Sequence, residues 1–248
     1  MATYLETSLQ RDIDRIRTKV TEMGALAEVA LQDAMKAVAE HDRELAYAVI
    51  LRDQYIDDKE KEIDRLCLEF LVRQQPVAGP LRFAYSTIRI NLELERVGDY
   101  AESVARRLLK LSEMPATFPR EAFVELARHS TAMLHDAVKA FVEQDAELAR
   151  KTIELEDGID LRKSKLIKDL VHLFRENQMP FDALDPLTMM VRRFERVADQ
   201  ARNICTEVLY MCTGEYAKHP GSEAFRVLFV DEHDGCLTKM AEAIANSL

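Results

Sequence analysis

Tryptophan is absent from the 248-residue chain, and glycine and proline are scarce at seven each. So few breaks in a sequence dominated by Leu, Ala, Glu, Arg and Met argue for long helices. With 48% hydrophobic and 31% charged residues, disorder is excluded as the main state. Cysteine is limited to Cys67, Cys205, Cys212 and Cys236, at spacings that match no zinc motif, and no apolar leader follows Met1. A disulfide framework and secretion are therefore disfavoured, and a reducing cytoplasm is the expected location. Long apolar runs are also missing: Arg, Asp or Glu interrupts every stretch before the roughly 18 residues that a membrane span needs. Work at a membrane would require docking there. Basic residues are outnumbered, 34 Lys plus Arg against 44 Asp plus Glu, for a net charge of −10. Such a surface repels phosphate backbones, so no nucleic-acid partner is expected.

What is present is helical periodicity. Ile13, Ile16, Val20, Met23, Leu26, Ala30, Leu31, Ala34 and Val38 recur at steps of three and four, one buried stripe on an amphipathic helix. Leu45, Val49, Ile56, Ile63, Leu66 and Phe70 repeat the habit between about Arg43 and Arg73, and a third such segment runs from about Leu81 to Leu111. Breaks fall at Pro76 to Pro80, Pro115 to Pro119, Met179 to Pro186 and His219 to Gly221. Three long helices are thus predicted before Pro115.

The remainder repeats the beginning. At an offset of 103, Glu40-His41-Asp42-Arg43-Glu44-Leu45-Ala46 matches Glu143-Gln144-Asp145-Ala146-Glu147-Leu148-Ala149, and Ile56-Asp57 matches Ile159-Asp160. At an offset of 100, Pro80 matches Pro180, and Glu95-Arg96-Val97-Gly98-Asp99 matches Glu195-Arg196-Val197-Ala198-Asp199. The change of offset falls in a connection between helices, where a length change costs little. The predicted fold is all-α, a tandem repeat of two three-helix bundles over 1–115 and 116–215, followed by a tail over 216–248.

The duplicated acids carry the chemistry. Glu95 and Asp99 share one helix face, as do Glu195 and Asp199. Like charges at that spacing cost a helix about 0.2–0.5 kcal/mol unless compensated. The second helix of each unit bears partner acids: Asp53 and Asp57, continued by Glu60 and Asp64, in the first, and Glu156 and Asp160 in the second. If helices two and three bring these rows together, four carboxylates form a hard-oxygen environment suited to a polyvalent cation. Against this stands the solvated face that acidic stripes form in any helical bundle, with Arg96 and Arg196 as local neutralisers. Recurrence in both halves, with a small residue at Gly98 and Ala198 to admit a neighbour, brings the two readings level.

At these residues the chain resembles the PhoU family of phosphate-signalling regulators, marked by two three-helix repeats each carrying an E(D)-x-x-x-D motif. The likeness runs from about residue 8 to 213 and includes the signatures around Ile56-Asp57 and Ile159-Asp160. It implies metal ions (iron, manganese, magnesium or zinc) on the acidic helix faces, with Glu102 and Asn203 beside the ligand rows. It also implies oligomerisation in some members, such as a homodimer, and a non-enzymatic adaptor role. The adaptor would join the ATPase subunit of a phosphate ABC transporter to a membrane sensor histidine kinase, kept silent when phosphate is plentiful. The expected location is cytoplasmic, peripheral at the inner membrane. Ser103 departs from the Asn that Asn203 retains, and Arg193 stands in the place of Glu93, so the two sites are expected to differ in charge and affinity.

The tail reads as strand, loop and helix, from Phe225-Arg226-Val227-Leu228-Phe229-Val230 through Cys236 to Ala243-Ile244. It is similar to the opening of low-molecular-weight tyrosine phosphatases, but Asp231 and Leu237 occupy the places of the nucleophilic Cys and the Arg, which excludes thiol-phosphatase chemistry. The alternative functions are a carboxylate-bridged metal enzyme and a metal-binding structural protein. The enzyme ranks lower, since none of His41, His129, His135, His172, His219 or His233 has Glu three residues before it.

Overall fold

The apolar stripe of the first segment becomes α1, Tyr4–Glu40, whose Ile16, Val20, Met23, Ala27, Leu31 and Ala34 are all buried. In the computed structural model, which describes residues 4–112 and 118–215, seven further helices follow: α2 Arg43–Arg52, α3 Gln54–Gln74, α4 Gly79–Leu111, α5 Arg120–Glu143, α6 Ala146–Ile153, α7 Glu156–Arg175 and α8 Phe181–Thr213. Among the described residues there is no strand. The strand–loop–helix expected over 216–248 lies outside the described residues.

The matched segments of the two halves fold by the same device. After α1 the chain turns left-handed at His41 (φ 56°), and Asp42 caps α2 by accepting the Leu45 N–H at 3.0 Å. After α5 it does so at Gln144 (φ 53°), and Asp145 accepts the N–H groups of Glu147 and Leu148 at 2.9 Å each. A capping carboxylate stabilises the start of a helix by about 1 kcal/mol, and its charge suits the positive end of the helix dipole.

Two expectations about boundaries need correction. The segment from Arg43 to Arg73 is two helices, broken at Asp53, where the ladder tightens to an Ile56 N–H donating to Asp53 C=O at 2.8 Å, three residues back. The second half breaks at the matching place, with Leu155 N–H donating to Thr152 C=O at 3.2 Å. Pro186 lies inside α8 instead of ending the connection before it. The helix begins at Phe181, and the bond that Pro186 cannot make would have gone to Asp182, an exposed residue whose carbonyl water can serve.

Residues 1–215 form one compact unit. Its core is continuous: Phe70, Phe123, Phe141 and Phe194 are fully buried, and Phe83 of α4 stacks on Phe141 of α5 with ring centroids 5.9 Å apart. The long third helices of the two halves, α4 and α8, pack most extensively on each other. Their seam is polar at matched places. Glu93 accepts from Asn203 Nδ2 at 3.4 Å, and Arg193 Nε donates to Ser103 Oγ at 3.1 Å. At an offset of 100, residue 93 corresponds to 193 and 103 to 203, so these are one pair of contacts repeated with the partners changed. Arg193 also lies over the Tyr100 ring at 5.3 Å, and buried Glu207 accepts from Arg89 Nε at 2.7 Å.

Candidate metal centre

The interruption at Asp53 sets up the first acidic site. It swings the start of α3 against α4 at Gly98, where a Cβ would stand 2.9 Å from Asp53 Oδ1 and 2.8 Å from Ile56 Cδ1. Only glycine admits this approach without displacing the carboxylate. Asp53 and Asp57 thereby face Glu95, Asp99 and Glu102 across the helix pair, with Glu60 further along α3. Asn91 of α4 fixes the next turn by donating to Glu60 C=O and to Asp64 Oδ1, both at 2.9 Å.

The electrostatics follow from crowding. Burial, then Asp57, Glu102 and Asp99, push Asp53 up to about 6. Burial, then Asp99, Glu60 and Asp57, push Glu95 up to about 7. Asp99 and Glu60 are raised for the same reasons, burial first and neighbouring carboxylates after it. Cations do little here: Arg96 turns to Glu93, at 3.4 Å, and Arg106 is held by Glu102. A half-buried group of carboxylates that repel each other, with Glu102 alone in an ion pair, is the donor chemistry that a hard cation satisfies. Among the described residues no three Asp, Glu, His or Cys side chains are gathered closely enough to grip an ion as they stand.

The second half is built differently. Ala198 takes the place of Gly98, and the acids Glu156, Asp160, Glu195 and Asp199 are each met by a cation. Lys163 Nζ donates to Asp160 Oδ1 at 2.8 Å and to Glu195 Oε1 at 3.0 Å. Arg196 donates to Asp199 Oδ2 at 2.9 Å, and Arg202 to Glu156 Oε2 at 3.2 Å. Burial raises Glu156, Arg202 pulls it back, and a hydrogen bond shared with Asp199 raises it again. Two of these cations stand where the first half has acids: Lys163 matches Glu60 at an offset of 103, and Arg202 matches Glu102 at an offset of 100. The offset that pairs Glu93 with Arg193 and Ser103 with Asn203 also pairs Glu102 with Arg202, and the offset of 103 pairs Glu60 with Lys163, so both substitutions are readable in the sequence. Asn203 does not join this group, since it reaches across the seam to Glu93.

Two of the thiols within the described residues are core groups. Cys67 and Cys205 are buried, and burial pushes each up to about 12, which leaves them protonated and unreactive.

Comparison with known proteins places this architecture. The PhoU domain model matches residues 20–108 and again 123–208, one copy for each half. The phosphate-specific transport system accessory protein PhoU of Serratia marcescens is 29% identical over 227 residues, covering 92% of this chain and 93% of that protein. The PhoU homologue of Pseudomonas aeruginosa is 30% identical, covering 98% of this chain and 95% of its own. Among solved structures, PhoU from Pseudomonas aeruginosa superposes with a TM-score of 0.78 at 29% identity over 83% of this chain and 99% of its own. The phosphate transport system regulatory protein PhoU from Streptococcus pneumoniae gives 0.79 at 25% identity, over 85% of this chain and 100% of its own. With both domain copies matched and near-full-length relatives at this level of identity, the chain belongs to the PhoU family.

Proposed function

We propose that the protein is a non-enzymatic regulator of phosphate uptake that represses the phosphate-starvation response when phosphate is plentiful. It would act as an adaptor between the ATPase subunit of a phosphate ABC transporter and a membrane sensor histidine kinase. The observation that carries this reading is the pair of PhoU domains spanning both halves, in a chain whose relatives are named as accessory proteins of phosphate-specific transport. No helix among the described residues is long and apolar enough to cross a membrane. In this reading the protein meets the membrane from the cytoplasmic side through these protein partners. An adaptor acts by binding one state of its target more tightly than another; preference for the non-phosphorylating kinase would hold it silent.

Metal ions belong to this reading as structural ligands. Asp53, Asp57, Glu95 and Asp99, with Glu60 and Glu102 at the ends of the rows, would hold them in the first half. When bound, the cation supplies positive charge that turns a self-repelling helix face into a firm docking surface. The chain's own part is to keep the carboxylates converging through Gly98 and free of competing cations. In the second half Lys163 and Arg202 must first be displaced, so binding through Glu156, Asp160, Glu195 and Asp199 is weaker. A carboxylate-bridged enzyme is not favoured, because the relatives are named for accessory and regulatory roles.

The test is genetic and biochemical together. In a strain lacking the gene, a phosphate-starvation reporter should stay on in high phosphate, and the intact gene should silence it. Tagged protein should retain the transporter ATPase and the kinase from solubilised membranes. A reporter that remains phosphate-responsive without the gene, with neither partner retained, would overturn the adaptor.

A further inference from the structure

A cavity of about 610 Å³ opens where α1, the start of α4 and the end of α8 meet, its lining including Ile13 and Arg17 of α1, Arg82 and Phe83 of α4, and Met211 of α8. Neither an aspartate nor a glutamate lines it, in a chain with 44 of them, while two arginines do. The guanidinium of Arg17 lies over the Phe83 ring at 5.9 Å, and its Nη1 donates to Asp14 at 3.2 Å. Its Nε is buried and finds no acceptor. Arg82 has no carboxylate partner among the described residues; its Nε makes a long 3.4 Å contact to Met211 C=O. The start of the 33-residue α4 lies beside them with no side chain capping it; Pro80 has no N–H and the Arg82 N–H is bonded to Ala78 C=O at 3.0 Å, which leaves the N–H groups of Gly79 and Leu81. Of the other acids nearby, Asp14 is shared between Gln10 and Arg17 on the outer side, and Asp145 is engaged in capping α6.

We propose that this cavity binds a small organic anion, its phosphate or carboxylate group held between Arg17 and Arg82 at the start of α4 and its apolar part resting on Ile13, Phe83 and Met211. Guanidinium groups match the planar pairs of oxygens on carboxylates and phosphates, and a helix start offers N–H donors to the same oxygens. The orphaned Arg17 Nε is a donor that an anion, or a water held by it, would satisfy. A cavity of this volume has room for a metabolite with an apolar or ring portion. The site is independent of the acidic rows and of the adaptor reading.

The test is calorimetric titration of the full chain, stripped of metal with EDTA so that the acidic rows cannot retain an anion through a cation. The probes are AMP, glucose 6-phosphate and citrate, with inorganic phosphate, adenosine and glucose as comparisons. At least one organic anion should bind saturably, more tightly than its uncharged counterpart and than inorganic phosphate, and more weakly as salt rises. Arg17→Gln and Arg82→Gln should each weaken binding tenfold or more, with circular dichroism unchanged; Arg65→Gln, on the outer face of α3, should not. Should Arg17→Gln fail to fold, Arg82→Gln decides alone, since that side chain is partly exposed. Preference for AMP or the sugar phosphate would assign a phosphate ester, and preference for citrate a carboxylate. No saturable binding of any probe, binding unchanged in the arginine variants, or inorganic phosphate bound as tightly as the organic anions would overturn the proposal.

Discussion

The two halves share a helix order, a capping device and an acidic motif, and yet one acidic face is crowded and the other is neutralised. In the first, Asp53, Asp57, Glu60, Glu95, Asp99 and Glu102 press on one another, and Glu95 is pushed up to about 7. In the second, Lys163, Arg196 and Arg202 meet the carboxylates with ion pairs of 2.8 to 3.2 Å. Duplication therefore preserved the scaffold while the charges flanking it diverged. A motif of the form Glu-x-x-x-Asp places two carboxylates on a helix face; whether a cation from solution or a cation from the chain neutralises them depends on residues outside the motif.

That contrast predicts its own inversion. Glu60→Lys with Glu102→Arg should give the first half the cations of the second and weaken metal binding by about a hundredfold, near 2.8 kcal/mol, measured by titration with manganese or iron. Lys163→Glu with Arg202→Glu should strengthen binding in the second half. Equal metal content in both charge-exchanged proteins and the wild type would show that the acidic rows are solvated faces and nothing more.

Backbone proximity should separate the halves next. Gly98→Ala forces a Cβ to within 2.9 Å of Asp53 Oδ1 and should destabilise the protein by about 2 kcal/mol, as overpacking does, with loss of metal. Ala198→Gly, the reciprocal change, should cost only the helix propensity difference, about 1 kcal/mol. Thermal unfolding of both variants with and without metal checks the pair.

The metal-free protein should also respond to pH through the first half. Asp53 and Glu95 hold protons in the folded state up to about 6 and about 7, while the unfolded chain releases them near the ordinary values of 3.8 and 4.5. The folded state therefore binds more protons between about pH 4 and pH 7, and stability falls as pH rises through that window. Midpoints of thermal unfolding should be higher at pH 5 than at pH 8, and Asp53→Asn with Glu95→Gln should flatten the trend. Glu195→Gln with Asp199→Asn should leave it in place. Added metal should suppress the trend in the wild type, since the ion takes the place of the protons.

The smallest effects belong to what the halves share. Asp42→Ala and Asp145→Ala should each cost about 1 kcal/mol, equally and without change in metal binding, because each removes one capping carboxylate from a short helix. A marked inequality would mean that the two turns carry different loads despite their matched sequence.

Much of this is legible in the sequence. Period and scarcity of breakers give α1 and α4, because a long amphipathic stripe has no other way to bury itself, and the repeat, read from aligned residues such as Asp42 with Asp145, carries them over to α5 and α8. The split at Asp53 is not legible, since propensity runs on unbroken from Leu45 to Phe70. Pro186 looked like a boundary and is absorbed near the start of α8. The departures at Ser103 and Arg193 looked like features of the acidic sites. In the fold they are partners of each other across the seam, matched by Glu93 with Asn203.

The sequence by itself determined the helices, their duplication and the acids on their faces, because periodicity, capping and spacing are local and each is written within a few residues. Only the tertiary structure decided which charges meet. Side chains on different helices compete for the same space and the same counter-ions, so the outcome at Asp53 depends on Asp99 and Glu102 of α4, and that at Glu195 on Lys163 of α7. The same holds for the cavity at Arg17 and Arg82, 65 residues apart in the chain, where the avoidance of carboxylates becomes visible only once α1, α4 and α8 are brought together.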